Sequence, residues 1–188
     1  AWYRRTFVIP PVWREQRVFL CFGAVDYWAS VWVNGHLVGQ HEGGYTPFVC
    51  DITDVSNEGE NTVVVRVHDP ADLREIPHGK QKSIPADAWQ SCEFTPTSGI
   101  WQTVWLELRS PCHFTSVRIT PDVDAQCAHF TLSVHGGITQ RDVSILVSVQ
   151  PPTGDALSAH ASISLTAGET ATAAFAVSIP DLQLWDLD

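Results

Sequence analysis

Apolar and polar residues alternate with a period of two through most of this 188-residue chain. That is the spacing of strands that bury one face and wet the other. Tyr3, Arg5, Phe7 and Ile9 share one face of a first strand, which Pro10-Pro11 ends. Val18, Leu20 and Phe22 make the next run, and Val31 and Val33 then alternate with Ser30 and Trp32. Asn34-Gly35 follows at once, the strongest short-range signal for a two-residue hairpin, with Leu37 and Val38 beginning the returning strand. Asn57 to Asn61 reads as a turn, after which Val63, Val65 and Val67 alternate with Val64, Arg66 and His68. Ile100, Gln102, Val104, Leu106 and Leu108 predict one closing strand, with Trp101, Thr103, Trp105 and Glu107 on its other face. Nowhere does a 3.6-residue pattern last long enough for a substantial helix. Short strands punctuated by Gly and Pro predict an all-β protein built of β-sandwiches.

Two passages interrupt the alternation. Between Asp69 and Pro96 it stops altogether, in a segment carrying Pro70, Pro77, Pro85 and Trp89. Loops this long in compact domains are usually functional or disordered. Near Ser110-Pro111-Cys112 the texture changes, with fewer aromatics and more Ser, Thr and Ala, which places a domain boundary there: 1–111 and 112–188. Phe114–Thr120, Phe130 to Val134, Val143 to Val149, Ile163-x-Leu165 and Ala173 to Ile179 predict five strands in the second domain. Five strands fit an immunoglobulin-like sandwich, of the disulfide-free type because no Cys…Trp…Cys signature occurs.

Composition narrows the classes of partner. The apolar fraction of 44% and charged fraction of 17% are those of a globular protein. A net charge of −10 repels phosphate backbones, so nucleic acid is not an expected partner. No run of eighteen apolar residues occurs, so no membrane span is expected, and the Ala1-Trp2-Tyr3 opening gives no reason to expect a signal peptide. Five cysteines form an odd set without a C-x-x-C pair. Cys21 and Cys50 sit among apolar strand residues and read as buried thiols, which favours a reducing, cytoplasmic setting. Seven of the eight tryptophans lie between Trp2 and Trp105. Most should be core, and alternation cannot pick out which ring is exposed.

Three passages carry a resemblance. Asp26 to Asp51, with Val-Asn-Gly-His-Leu-Val-Gly-Gln-His-Glu-Gly-Gly-Tyr-Thr-Pro-Phe at its centre, resembles the sugar-binding jelly-roll domain of glycoside hydrolase family two, the β-galactosidases and β-glucuronidases. His78-Gly79-Lys80-Gln81 resembles an element of a β-galactosidase-like branch, and Thr97 to Glu107 (Thr-Ser-Gly-Ile-Trp-Gln-Thr-Val-Trp-Leu-Glu) resembles that domain's last strand. The resemblance implies a galactose-binding-like jelly roll over 1–111, an immunoglobulin-like sandwich after it, and a catalytic (β/α)₈ barrel downstream. The Leu184-Trp185 passage is similar to one that precedes further strands in the family, so the chain is expected to be a fragment with an incomplete second domain.

Retaining glycoside hydrolysis needs two carboxylates about 5–5.5 Å apart. The resemblance puts both in the barrel, whose strand–helix alternation is not present here. No catalytic residue is therefore nominated, and the chain alone is expected to be inactive, bracing the barrel and shaping the sugar site. Loops of the first domain lean toward that barrel in the family. An acidic side chain six residues before the Gly of the Gly-Ile motif contacts sugar in family members, and that position is Glu93 here, where those members have Asp. A carboxylate suits vicinal hydroxyls because it accepts two hydrogen bonds. Lys80, Gln81 and Trp89 are the other candidate substrate-binding residues. Asn34-Gly35 and Gly43-Gly44 read as backbone geometry that requires positive φ.

No cofactor is expected and no metal site is nominated. His36 and His41 fall on different parts of one strand, and no Cys or carboxylate has a ligand-like spacing along the chain. His41-Glu42 lacks the second His of a zinc-protease helix, Gly-x-Ser-x-Gly is absent, and no phosphate-binding Gly-rich loop occurs. Carbohydrate and the downstream barrel are thus the expected partners. The sugar and the oligomeric state stay open, although large enzymes of the family are often homo-oligomers. Two other readings compete: an autonomous carbohydrate-binding module without hydrolase activity, and a purely structural pair of adhesion-type sandwiches.

Overall fold

The computed structural model describes residues 1–13, 15–70, 75–77, 79–81, 94–180 and 182–185. Its backbone divides into two compact units, Ala1–Arg109 and Ser110–Asp188. Apart from one 3-10 turn at Pro11–Trp13, the regular elements among the described residues are strands. Among the described residues, no helix is long and apolar enough to cross a membrane.

The first unit holds β1 (Trp2–Ile9), β2 (Arg17–Phe22), β3 (Val25–Asp26), β4 (Trp28–Val33), β5 (His36–Glu42), β6 (Phe48–Asp51), β7 (Gly59–His68), β8 (Gly99–Ile100) and β9 (Val104–Arg109). They form a jelly-roll sandwich. One sheet runs β1-β7-β4-β5 and the other β6-β2-β9, with a short β3-β8 pair beside them. All these pairings are antiparallel. The alternating valines meet across the sheet, Val31 opposite Val65 and Val33 opposite Val63. Their inner neighbours Leu20, Phe22, Val25, Ile52 and Val67 complete one core between the sheets. Phe22 lies flat on Phe48, with ring centroids 4.6 Å apart. Cys21 and Cys50 are buried as expected. Burial, chiefly, pushes both thiols up to about 11.

The Asn34-Gly35 turn forms as the sequence predicts, with φ of +50° and +86°, the left-handed pair that such hairpins require. It is also locked from below. Asn61 is buried, and its Nδ2 donates to the carbonyls of Asn57 and Gly59 at 2.8 and 2.9 Å. Its Oδ1 accepts from the Asn57 amide and from Asn34 Nδ2 at 2.7 and 2.8 Å. Every hydrogen-bonding position of this buried amide is therefore used. The segment expected to be only a turn already contains the start of β7 at Gly59.

One predicted strand is broken. Instead of running from Ile100 to Leu108, the chain pairs Gly99–Ile100 with β3, kinks at 101–103, and resumes as β9 against β2. The kink is held by Gly23 donating to the Thr103 carbonyl at 2.9 Å. A side chain on Gly23 would meet Gln102 atoms at 2.8 Å. The alternation of Trp and apolar residues continues across the kink, so pattern alone cannot reveal it.

The second unit is an immunoglobulin-like sandwich of β10 (Cys112–Asp122), β11 (Cys127–Gly136), β12 (Arg141–Val149), β13 (Leu157–Leu165) and β14 (Thr170–Ser178). Its sheets run β10-β11-β14 and β12-β13. Phe130, Leu132, Val134, Ile145, Leu165 and Val177 form its core.

Candidate functional site

Three departures from strand regularity meet at one place in the first unit. The end of β3 supplies Asp26, the Gly43-Gly44 turn supplies Tyr45, and the kink after β8 supplies Trp101. With Gln81, Thr97 and Ser98 they line a recess of about 210 Å³.

Local sequence explains each placement. Asp26 pairs with Gly99 across the short β3-β8 ladder, which fixes its carboxyl at the mouth of the kink. Gly99 has φ of +107°, and a side chain there would lie 2.1 Å from the Tyr3 hydroxyl. Gly43 takes φ of +126°, so positive φ accounts for it, but Gly44 serves another purpose. A methyl on Gly44 would lie 2.6 Å from Asp26 Oδ1, so Gly44 is there for close approach. Trp101 Nε1 donates to the Gly44 carbonyl at 2.8 Å, tying kink to turn. Tyr45 meets Trp101 edge to face, with centroids 6.0 Å apart and rings inclined by 71°. Both rings remain open to solvent, Tyr45 at 60% and Trp101 at 53% exposure. An exposed aromatic face beside a carboxylate and an amide is the composition that holds a sugar: stacking on its apolar face, hydrogen bonds to its hydroxyls.

Burial, with a smaller push from the Asp69 carboxylate, raises Asp26 above the ordinary aspartate value of 3.8. A partly desolvated carboxylate hydrogen-bonds hydroxyls more strongly than one fully in water.

The nominated residues divide. Gln81 lines the recess, and its Oε1 accepts from Thr97 Oγ1 at 3.0 Å and from the Thr97 amide. Lys80 is exposed next to it, and its carbonyl accepts from the Phe94 amide at 2.8 Å; its side chain is not part of the lining. Glu93 and Trp89 lie outside the described residues. Asp26, Tyr45 and Trp101 were not among the sequence candidates, although all three sit inside the quoted motifs. Those motifs are separated by dozens of residues, and the β3-β8 pairing and the Trp101–Gly44 hydrogen bond bring them together.

A broader cleft of about 470 Å³ lies on the four-stranded sheet, lined by Trp28, Ser30, Gln40, Glu42 and Arg66, among others. There Trp28 stacks on His68 at 5.6 Å, so that part of its ring is already covered. The recess presents the freer aromatic face. His36 and His41 stand at opposite ends of β5; His41 stacks on Phe48 and its Nε2 lies 3.1 Å from Thr46 Oγ1.

Comparison with known proteins bears on the first unit as a whole. The family model for "Glycosyl hydrolases family 2, sugar binding domain" matches residues 1–111. A β-galactosidase of Thermoanaerobacter pseudethanolicus is 35% identical over 124 residues, spanning 65% of this chain and 15% of that protein. A β-glucuronidase of Paenibacillus borealis is 31% identical over 135 residues, spanning 67% of this chain and 23% of that protein. Among solved structures, Bacteroides uniformis β-glucuronidase matches 98% of this chain and 22% of its own, with a TM-score of 0.78 at 27% identity. The chain thus spans less than a quarter of each of these relatives.

Proposed function

The chain belongs to glycosyl hydrolase family 2, and from that premise we propose that it forms the non-catalytic wall of a β-galactosidase-like O-glycosidase, presenting the Asp26–Tyr45–Trp101 recess to the sugar. The single observation that carries this reading is the convergence in one recess of an exposed indole, a partly buried carboxylate and the Gln81 amide. The recess binds and orients. Hydrolysis belongs to a barrel joined to the chain, where a nucleophile and a general acid/base stand together. Lys80, Gln81, Trp89 and Glu93 belong, on this reading, to the loop that completes the sugar-facing rim. The first unit braces the barrel, and the second is its immunoglobulin-like continuation.

The choice of a galactoside rests on the resemblance of the Gly79-Lys80-Gln81 element, and relatives of both the galactosidase and glucuronidase kinds support the wider class. The test is hydrolysis of chromogenic β-galactosides and β-glucuronides by a polypeptide joining this chain to its barrel. Preference for the galactoside is expected, and preference for the glucuronide rejects that part of the reading.

The exposure of the Tyr45–Trp101 pair favours one alternative, an autonomous carbohydrate-binding module. Titration of the 188-residue chain with galactose, glucuronate and mannose separates the two. Millimolar or tighter binding by the chain alone supports the module, and silence supports the wall.

A further inference from the structure

A second constellation lies in the other unit, at the tip of the β10–β11 hairpin. Asp122 ends β10 and Cys127 begins β11, and the two face each other directly across the ladder. His129 is two residues further along β11 and so shares their face. Cross-strand pairing therefore gathers three groups that spacing along the chain does not.

The donor atoms converge. Cys127 Sγ lies 3.6 Å from His129 Nε2, Asp122 Oδ2 lies 3.7 Å from the same nitrogen, and all three ligand atoms fall within 4.8 Å of one another. The other carboxylate oxygen, Oδ1, accepts from the Ala125 amide at 2.9 Å, which leaves Oδ2 to face the histidine. The turn is fixed as well: the Gln126 amide donates to the Val123 carbonyl at 3.2 Å, and the Gln126 carbonyl accepts from the Ile179 amide at 2.8 Å. These bonds hold both strands at the place where the ligands meet.

These separations can be compared with a tetrahedral ion. Bonds of about 2.3 Å to sulfur and about 2.0 Å to nitrogen place those ligands about 3.6 Å apart, and nitrogen and oxygen about 3.3 Å apart. The sulfur–nitrogen pair is already at that spacing, and the nitrogen–oxygen pair needs only a few tenths of an ångström of closure. A thiolate, an imidazole and a carboxylate together select a borderline ion over magnesium or calcium, which prefer oxygen. We propose that Asp122, Cys127 and His129 form a zinc(II) site at this hairpin tip, with the fourth position open to solvent. Zinc there clamps β10 to β11 beside the turn that joins them and stabilises the second unit by mass action.

The test uses the 188-residue chain stripped of metal by a chelator. Cobalt(II) serves as the spectroscopic probe, followed by displacement with zinc. The expected result is one equivalent bound, a thiolate-to-cobalt charge-transfer band with tetrahedral visible bands, and loss of both on adding zinc. Cys127→Ser and His129→Ala should each weaken zinc by at least about 100-fold, since even outer partners of metal ligands are worth 10–100-fold. Both side chains are at least partly exposed, so far-UV circular dichroism should be unchanged. A readout without mutation is alkylation: zinc should slow modification of Cys127 and leave Cys112 unaffected. Absence of a thiolate band, unchanged zinc affinity in Cys127→Ser, or protection of a different cysteine overturns the proposal.

Discussion

The two sandwiches obey the same strand grammar to different degrees. In the second unit, long strands alternate almost without interruption: β12 and β13 pair in unbroken register from Arg141–Leu165 to Val149–Leu157. In the first unit the grammar fails repeatedly, with a register shift at Val31/Trp32, left-handed backbone at Asn34, Gly43 and Gly99, and the kink at 101–103. Three of those failures coincide at the recess. Regular alternation builds a core, and binding groups collect where it stops, because only a broken ladder releases side chains and amides from the sheet.

This contrast can be broken experimentally. The largest effect is expected where regular packing does the stabilising. Leu165, 1% exposed, should cost about 3 kcal/mol when replaced by alanine, as cavity formation in a core does. Native-state hydrogen exchange at β11 and β13 amides measures it, and a loss below about 1 kcal/mol would show a loosely packed second core. Next comes Asn61→Ala, which strands partners on Asn34, Asn57 and Gly59 and should cost about 2 kcal/mol. Seven of the eight tryptophans lie in the first unit, so tryptophan fluorescence during urea unfolding reads this change. Gly44→Ala should cost less, about 1 kcal/mol, because the clash is with the movable Asp26 carboxylate. It should nevertheless weaken any saccharide binding at the recess.

The smallest effect is a slope with pH. Asp26 is raised above its ordinary value, so the folded state holds its proton longer, and stability falls as pH rises from 3.8 through the raised value. Burial alone would raise Asp51 too, but hydrogen bonds from Thr53 and Arg17 hold it below the ordinary range. Its contribution is therefore present above 3.8 and lost as pH falls through the lowered value. Asp26→Asn should remove the first slope and Asp51→Asn the second, with opposite signs in fluorescence-detected unfolding across acidic pH. Slopes of the same sign would contradict the assignment.

Much of this was legible in the sequence, and the exceptions are instructive. The all-β class, the Asn34-Gly35 hairpin and the five strands of the second unit follow from period and turn chemistry alone. The Asn61 lock does not, because a polar residue opening a strand looks like surface until its partners are known. The strand break at 101–103 is invisible because side-chain alternation is the same on either side of it. The recess is hidden for a related reason. Asp26, Tyr45 and Trp101 lie inside passages quoted for their resemblance, and tertiary pairing gathers them into one recess. Gln81 could be nominated because its motif is local; the grouping of Asp122, Cys127 and His129 is not legible along the chain because a hairpin joins them across strands.

The most direct test of the proposed sugar-facing role of the recess is steady-state kinetics of Trp101→Ala in a polypeptide that joins this chain to a catalytic barrel. The expected result is a KM for the β-galactoside raised about tenfold, the equivalent of one aromatic contact of about 1.4 kcal/mol, with kcat little changed and Trp101→Phe partly restoring it. Unchanged KM and kcat in Trp101→Ala would show that the recess does not meet the sugar.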